Sequence, residues 1–195
     1  MTIRELYDEE SDRVAAFLLA LSNHDRYRRF GRPMTDAALH RYVTQIDWDD
    51  AVLLGAFDSH AELVGLLELV HAGNGCEIAI AVAAAHRDKG LGKALMDRAL
   101  LKAKVHGCDK VLLLCQMDNE PMRRLARSAG LDSTVEEGEV TGTLELPQAG
   151  LAEVTEDAAR DAIGNATYAT LLATRTWADL FERAAYTSWR MLPEG

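Results

Sequence analysis

"HRDKGLGKAL", residues 86–95, sets Arg87, Lys89 and Lys93 around a glycine pair, Gly90 and Gly92, at the start of a helical pattern. That pattern runs from Gly90 to about His106, with Leu91, Leu95, Ala99 and Lys102 at helical spacing and Gly107 as its stop. A helix start is a ready anion site, because its first N–H groups lack carbonyl partners and its dipole favours negative charge. Glycine lets the anion reach the backbone, where a Cβ would hold it off. Taken alone, G-x-G before a helix also suits an ordinary tight turn. A dinucleotide-binding turn does not fit: the preceding strand closes an antiparallel hairpin, and no third glycine stands at the required spacing. The phosphate loop GxxxxGK[ST] is absent.

Outward from this stretch the pattern is strand, two helices, three antiparallel strands, helix, strand, helix and two strands. "TIREL" reads as a strand, and Val14, Phe17, Leu18 and Leu21 mark a helix over about 9–21. "SNHDRYRRFGRPM" is polar, basic and turn-rich, and Thr35 caps a helix running to about Ile46. "AVLLGAF" and "ELVGLLELVHA" are strands, "GNG" at 73–75 is a hairpin signal, and "CEIAIAVAA" follows as the next strand. "KVLLLCQ" has the continuous apolar character of a strand buried on both faces, and "EPMRRLARSAG" is a helix with proline in its first turn. "STVEEGEVTGTLEL" supplies two more strands. The result is a mixed α/β layer architecture rather than a run of βαβ units. After Pro147 the composition becomes rich in alanine and threonine, which predicts a domain over 1–147 and a helical extension over 148–195. Two helices are expected there, broken near Gly164-Asn165, with Tyr168, Leu171, Leu172, Trp177, Leu180, Phe181 and Trp189 as a stripe for packing, a homodimer contact or a cap on the substrate groove.

Composition narrows the classes. The chain has 195 residues, 48% hydrophobic and 27% charged, enough apolar material for a sizeable core. A net charge of −10 argues against nucleic acid as the main partner. No apolar run approaches the ~20 residues of a membrane span, and the acidic start does not resemble a secretory signal, so a cytoplasmic location without membrane partners is expected. Cys76, Cys108 and Cys115 show no metal-ligand spacing and are expected to be buried, reduced thiols, with no metal site.

"AVAAAHRDKGLGKALMDRALLKAKVHG" resembles motif A of the GNAT superfamily of acyl-CoA N-acyltransferases, with Arg87-x-x-Gly90-x-Gly92 standing at its [Q/R]-x-x-G-x-[G/A] core. "LLLCQMDNEPMRRLARSAGL" resembles that family's second cofactor segment, with Asn119 before a helix that ends at Gly130-Leu131. The likeness covers about residues 1–147. It implies a GNAT fold with a mixed sheet of about seven strands flanked by helices, acetyl-CoA as co-substrate, and a primary amine as acceptor. Within the family, Tyr27, Arg29, Phe30, Asp47, Trp48, Ala51 and Leu53-Leu54 resemble a stretch of bacterial Pat-type protein lysine acetyltransferases. On that likeness the acceptor is a protein lysine and the chain a stand-alone form of that catalytic domain. The alternatives are a small-molecule amine acceptor (polyamine, aminoglycoside or amino acid) and a non-catalytic acyl-CoA sensor.

The chemistry calls for a base, because deprotonating a lysine ammonium of pKa ~10.4 at neutral pH costs about 4–5 kcal/mol. Strand alternation puts Glu77 with Ala79 and Ala81, opposite Ile78, Ile80 and Val82, so Glu77 can face a substrate groove. The Pat-type resemblance places the catalytic glutamate at this position. Glu68, inside the apolar "GLLELV", is the runner-up, its environment suited to a raised pKa. A three-residue "GNG" loop would set His71 opposite Glu77. By resemblance the pyrophosphate and thioester carbonyl are held by the N–H groups of Val82 and of Lys89, Gly90, Leu91, Gly92, Lys93 and Ala94, with Arg87 and Lys93 adding charge and Asn119 contacting the pantetheine arm or ordering the strand end. Many GNAT enzymes carry a tyrosine seven residues after this asparagine; here that residue is Ala126, and the general acid is unassigned.

Overall fold

Short apolar runs pair with the next strand in sequence, the first across three α-helices and the next two across short turns. In the computed structural model, which describes residues 1–73, 75–136 and 138–189 (backbone alone over 178–189), β1 (Thr2–Leu6), β2 (Ala51–Phe57), β3 (Leu63–Ala72) and β4 (Gly75–Val82) form successive antiparallel pairs. β5 (Lys110–Gln116) then joins β4 in parallel, and the helix α4 (Leu91–Val105) makes the crossover that a parallel pair requires. β6 (Asp132–Glu136) and β7 (Glu139–Glu145) close a seven-stranded sheet in the order β1-β2-β3-β4-β5-β7-β6.

Each sheet face carries its own core. α4 drives Leu91, Leu95, Met96 and Ala99 into Leu54, Leu67, Ile78 and Ile80, and α5 (Glu120–Ser128) joins them through Ala126. Each fully buried aliphatic side chain there contributes about 1.5–3 kcal/mol. On the opposite face α1 (Ser11–Ala20) and α3 (Asp36–Thr44) pack Val14, Leu18 and Leu39 on Leu53, Phe57 and Leu66. Thr35 caps α3 as its position suggests, its Oγ1 accepting from the Ala38 N–H at 3.2 Å.

The structure corrects four expectations. The basic stretch after Leu21 contains a helix, α2 (Asn23–Phe30), rather than only turns; Ser22 Oγ accepts from the Asp25 N–H, and Gly31 at φ 67° closes the other end. These two caps outweigh the strongly polar composition between them. The hairpin after β3 is tighter than a three-residue loop, since Ala72 pairs with Gly75. His71 therefore stands opposite Cys76, and Val70 opposite Glu77. The loop's Asn74 lies outside the described residues. Cys76 and Cys108 are joined as a disulfide between Cα atoms 6.0 Å apart, because the hairpin and the crossover loop deliver them to one spot; Cys115 is free and buried.

The fourth correction concerns the C-terminal segment, which is one helix, α6 (Leu151–Trp189), running through Gly164-Asn165. Gly164 does not break it but lets it approach β1: a Cβ there would lie 2.4 Å from the Ile3 carbonyl oxygen. Arg98 and Lys102 of α4 reach Asp157 and Asp161 of α6 at 2.5–3.1 Å, and Lys102 also meets Glu5 at 2.7 Å. Burial pulls the Lys102 pKa down, but its hydrogen bonds and charge contacts with these carboxylates outweigh that and raise it. Tyr168 packs on Phe57 and stacks against the Arg4 guanidinium, 3.9 Å from the ring centre. Leu171 is partly buried beside it, whereas Leu172 and Trp177 are exposed; the side chains of Leu180, Phe181 and Trp189 lie outside the described residues. No described helix is long and apolar enough to cross a membrane.

The close approach at Gly164 predicts an inverted response to helix propensity. Alanine in place of an exposed helical glycine gains about 0.5–1 kcal/mol. Here Gly164→Ala is expected to destabilise by about 1–3 kcal/mol, because the methyl meets backbone. The neighbouring Asn165→Ala, on the exposed side, should stabilise slightly. Urea denaturation midpoints of the two variants, moving in opposite directions, check the point.

Candidate active site

β4 and β5 are paired over only three residues: Gly75 with Lys110, Cys76 with Val111, and Glu77 with Leu112. Beyond Glu77 the strands part, although β4 continues to Val82 and β5 to Gln116. Glu77 sits at the apex of this split. A 250 Å³ cavity opens there between Glu77–Ile80 on one side and Leu113–Gln116 on the other, with Arg28–Gly31 of α2 and its cap above. It shares Arg28, Arg29, Ile80, Asn119 and Met122 with a 430 Å³ cavity that reaches Gly90–Gly92 at the start of α4 and Arg124 on α5. At its other end it shares Arg29, Phe30, Glu77 and Ala79 with a 530 Å³ cavity carrying the carboxylates of Asp47, Asp50 and Glu68. Three hollows thus adjoin in a row, the middle one lying in the split, and Glu77 lines that one and the acidic one.

The anion end is built from backbone. Gly90 caps α4 in the left-handed region at φ 79°, where a side chain would be strained, and its carbonyl accepts from Ala94 at 3.0 Å. The N–H groups of Leu91, Gly92 and Lys93 precede the first helical hydrogen bond and are the free donors of the first turn. Gly92 is open: a Cβ would meet only Leu125 Cδ2, at an ordinary 3.5 Å. These features fit a diphosphate.

The flanking cations are placed differently from one another. Lys93 turns to Asp97 at 2.9 Å, and Lys89 donates to the Ala85 carbonyl at 2.8 Å. Arg87 donates to the Val82 carbonyl at 3.0 Å and pairs with Asp25 of α2 at 2.7 Å, at the edge of the 430 Å³ cavity. Burial works to raise the Asp25 pKa, but the Ser22 hydroxyl and Arg87 more than offset it, holding the carboxyl below its usual value. Among the described residues Arg28 and Arg124, both lining the 430 Å³ cavity, have no ion-pair partner. Asn119 is buried between two cavities and caps α5, its Oδ1 accepting from the Met122 N–H at 3.4 Å. Ala126 is buried in the core, so no phenol stands there.

The two candidate carboxylates have contrasting surroundings. Glu77 is exposed on the face it shares with Ala79 and Ala81, as the alternation requires. Glu68 is enclosed: it pairs with Arg29, both side chains less than a tenth exposed, and accepts a hydrogen bond from the Tyr42 hydroxyl. Arg29 also donates to Tyr42 at 3.3 Å, and Phe30 meets the Tyr42 ring edge-on at 5.0 Å. Arg26 is structural, holding the carbonyls of Leu19 and Leu21 and pairing with Asp36 at 2.6 Å. Composition alone did not point to Arg28 or Arg29 as cavity residues; the Ser22 and Gly31 caps, which set α2 across the split, were the usable signal. Cys115 is no ready nucleophile, since burial raises its thiol pKa.

Burial lifts the Tyr42 pKa from 10.0 to about 12, with Arg29 pulling it down and the Glu68 charge pushing it up. Below pH 10 its contribution to stability is therefore complete, and it is lost as pH rises through the folded value. Tyr42→Phe should remove one late-ionising phenol from an absorbance titration and flatten the fall in stability between pH 10 and 12.

Residues 8–131 match the family model described as the acetyltransferase (GNAT) family. The fold is similar to the GNAT domain of S. lividans PAT, with a TM-score of 0.65 at 23% identity over 74% of this chain and 89% of that one. It is also similar to spermidine N-acetyltransferase from Vibrio cholerae in complex with CoA and spermine, with a TM-score of 0.60 at 20% identity over 74% and 94% of the two chains. A third likeness is to ribosomal-protein-alanine N-acetyltransferase from Brucella melitensis, with a TM-score of 0.60 at 15% identity over 75% and 100%. Since the family match takes in both strands of the split and the helix start between them, the protein is a member of the GNAT family, an N-acetyltransferase.

Proposed function

We propose that the protein transfers an acetyl group from acetyl-CoA to the side-chain amine of a protein lysine, in the cytoplasm, with Glu77 as general base. The observation that carries this reading is the position of Glu77 at the apex of the β4–β5 split, where the hollow leading from the α4 start meets the acidic hollow. Acetyl-CoA supplies a thioester, an acyl group already activated toward an amine. The N–H groups of Leu91, Gly92 and Lys93 would hold its pyrophosphate, and Arg28 and Arg124 would add charge along the cleft. Asn119 would face the arm between them. Exposed at the junction, Glu77 would take the proton of an incoming ammonium directly or through one water. Glu68 is less suited to that task, because Arg29 and Tyr42 already occupy its charge.

The lysine acceptor is supported by the Pat-like stretch, of which Arg29, Phe30, Asp47 and Ala51 line the acidic hollow. A polyamine acceptor is the second reading, favoured by the exposed carboxylates of Asp47 and Asp50 on the same wall, which suit a ligand with more than one positive charge.

Purified protein incubated with labelled acetyl-CoA and cleared lysate, with the products divided into protein-bound and small-molecule fractions, separates the two. Label on protein lysines supports the first reading. Label confined to small amines supports the second, and none in either fraction with acetyl-CoA still bound indicates a sensor. Glu77→Gln should lower turnover by about 10²–10⁴-fold while leaving acetyl-CoA affinity nearly unchanged. Gly92→Trp should do the reverse, abolishing coenzyme A binding in calorimetry without loss of thermal stability, because the space it fills is cleft rather than core.

A further inference from the structure

Just before the apex of the split, at the end of the sheet where the β3–β4 hairpin turns, three ligand-type side chains meet. His71 and Cys76 are cross-strand partners, and Cys108 arrives from the loop between α4 and β5. The imidazole nitrogen and the two sulfurs all lie within 4.8 Å of one another, with His71 Nδ1 3.8 Å from Cys76 Sγ. Nothing in acetyl transfer uses them. We propose that His71, Cys76 and Cys108 form a binding site for one thiophilic divalent cation, zinc being the best match, filled when the Cys76–Cys108 disulfide is reduced.

The donor set carries the argument. Two thiolates and one imidazole, with a fourth position open to water, are the ligands zinc takes in tetrahedral sites. Two thiolate charges cancel a divalent ion, so Cys76, wholly buried, and Cys108, nearly so, can hold it without burying net charge. His71 is exposed and gives the ion a way in. The ring of His106 stands 6.4 Å from that of His71, centre to centre, and flanks this entrance. The three ligands belong to segments already held by the β3–β4 ladder and the α4 crossover, so little ordering remains when the ion binds. Sequence spacing conceals the set, because Cys108 lies 32 residues from Cys76.

The two states exclude each other. A dithiol reductant takes the disulfide to two thiols and becomes a disulfide itself. The cation then displaces both thiol protons and accepts a lone pair from each sulfur and from neutral His71. Either cross-link ties β4, one residue before Glu77, to the segment entering β5. In a reducing compartment the disulfide would open, and the metal would take over that tie.

The test uses the full chain, reduced with a phosphine and desalted without oxygen, then titrated with Co²⁺ and back-titrated with Zn²⁺. One equivalent of Co²⁺ should bind with thiolate-to-metal charge-transfer bands and be displaced by Zn²⁺. Protein oxidised with diamide should take up none. Cys108→Ser should remove the charge-transfer bands or reduce them sharply, and His71→Ala, a surface change that leaves the core intact, should weaken binding by about tenfold or more. Cys115→Ser should bind like the parent. Equal uptake by reduced and oxidised protein, no thiolate bands, or unchanged affinity in His71→Ala would overturn the assignment.

Discussion

The parting of β4 and β5 after three paired residues governs the molecule. They are the parallel neighbours in a sheet whose other pairs are antiparallel, and α4 has to span from the end of one to the start of the other. Past Glu77 each strand keeps its outer partner, β3 or β7, and loses its inner one. The peptide groups on the two inner edges then face a cavity instead of each other. Unpaired backbone groups are costly when dry, so such an opening is suited to a ligand with polar groups along its length.

Charge is distributed along this opening in a definite order. One end is positive through the first turn of α4 and the arginines of α2 and α5; the other is negative through Asp47 and Asp50. Between them Arg29 and Glu68 neutralise each other in a nearly dry contact, braced by the Tyr42 hydroxyl. That pair anchors α2 and α3 to β3, and with Phe30 against Tyr42 it forms part of the wall of the acidic hollow that Glu77 also lines. Two glutamates on one sheet face and adjacent strands therefore differ in role through their partners. One is a fixed part of the wall, and the other is left open to whatever enters.

α6 extends the fold by a different means. It lies against the edge strand β1, which would otherwise present unpaired backbone, and it is fastened by Arg98 and Lys102 to Asp157 and Asp161. The buried charges are mutually compensated, and the closeness of the packing depends on the missing side chain at Gly164.

Local patterns determined a good deal by themselves. The order of the strands, the helices α1, α3, α4 and α5, the Thr35 cap, the glycine-opened start of α4, the alternation that exposes Glu77 and the GNAT resemblance could all be read along the chain, because each rests on residues close in sequence. Where the reading failed, the deciding contact was distant. Gly164 reads as a break until β1 is seen beside it, and Glu68 reads as a free buried acid until Arg29, 39 residues away, supplies its partner. A three-residue turn would set His71 against Glu77, whereas the tighter turn gives it to Cys76, since a one-residue change in hairpin register exchanges every cross-strand neighbour. The cysteines offered no ligand spacing because their meeting depends on the α4 crossover. Periodicity reports which face a residue takes, whereas its partner across that face is decided only when the sheet closes and the crossover returns the chain to it.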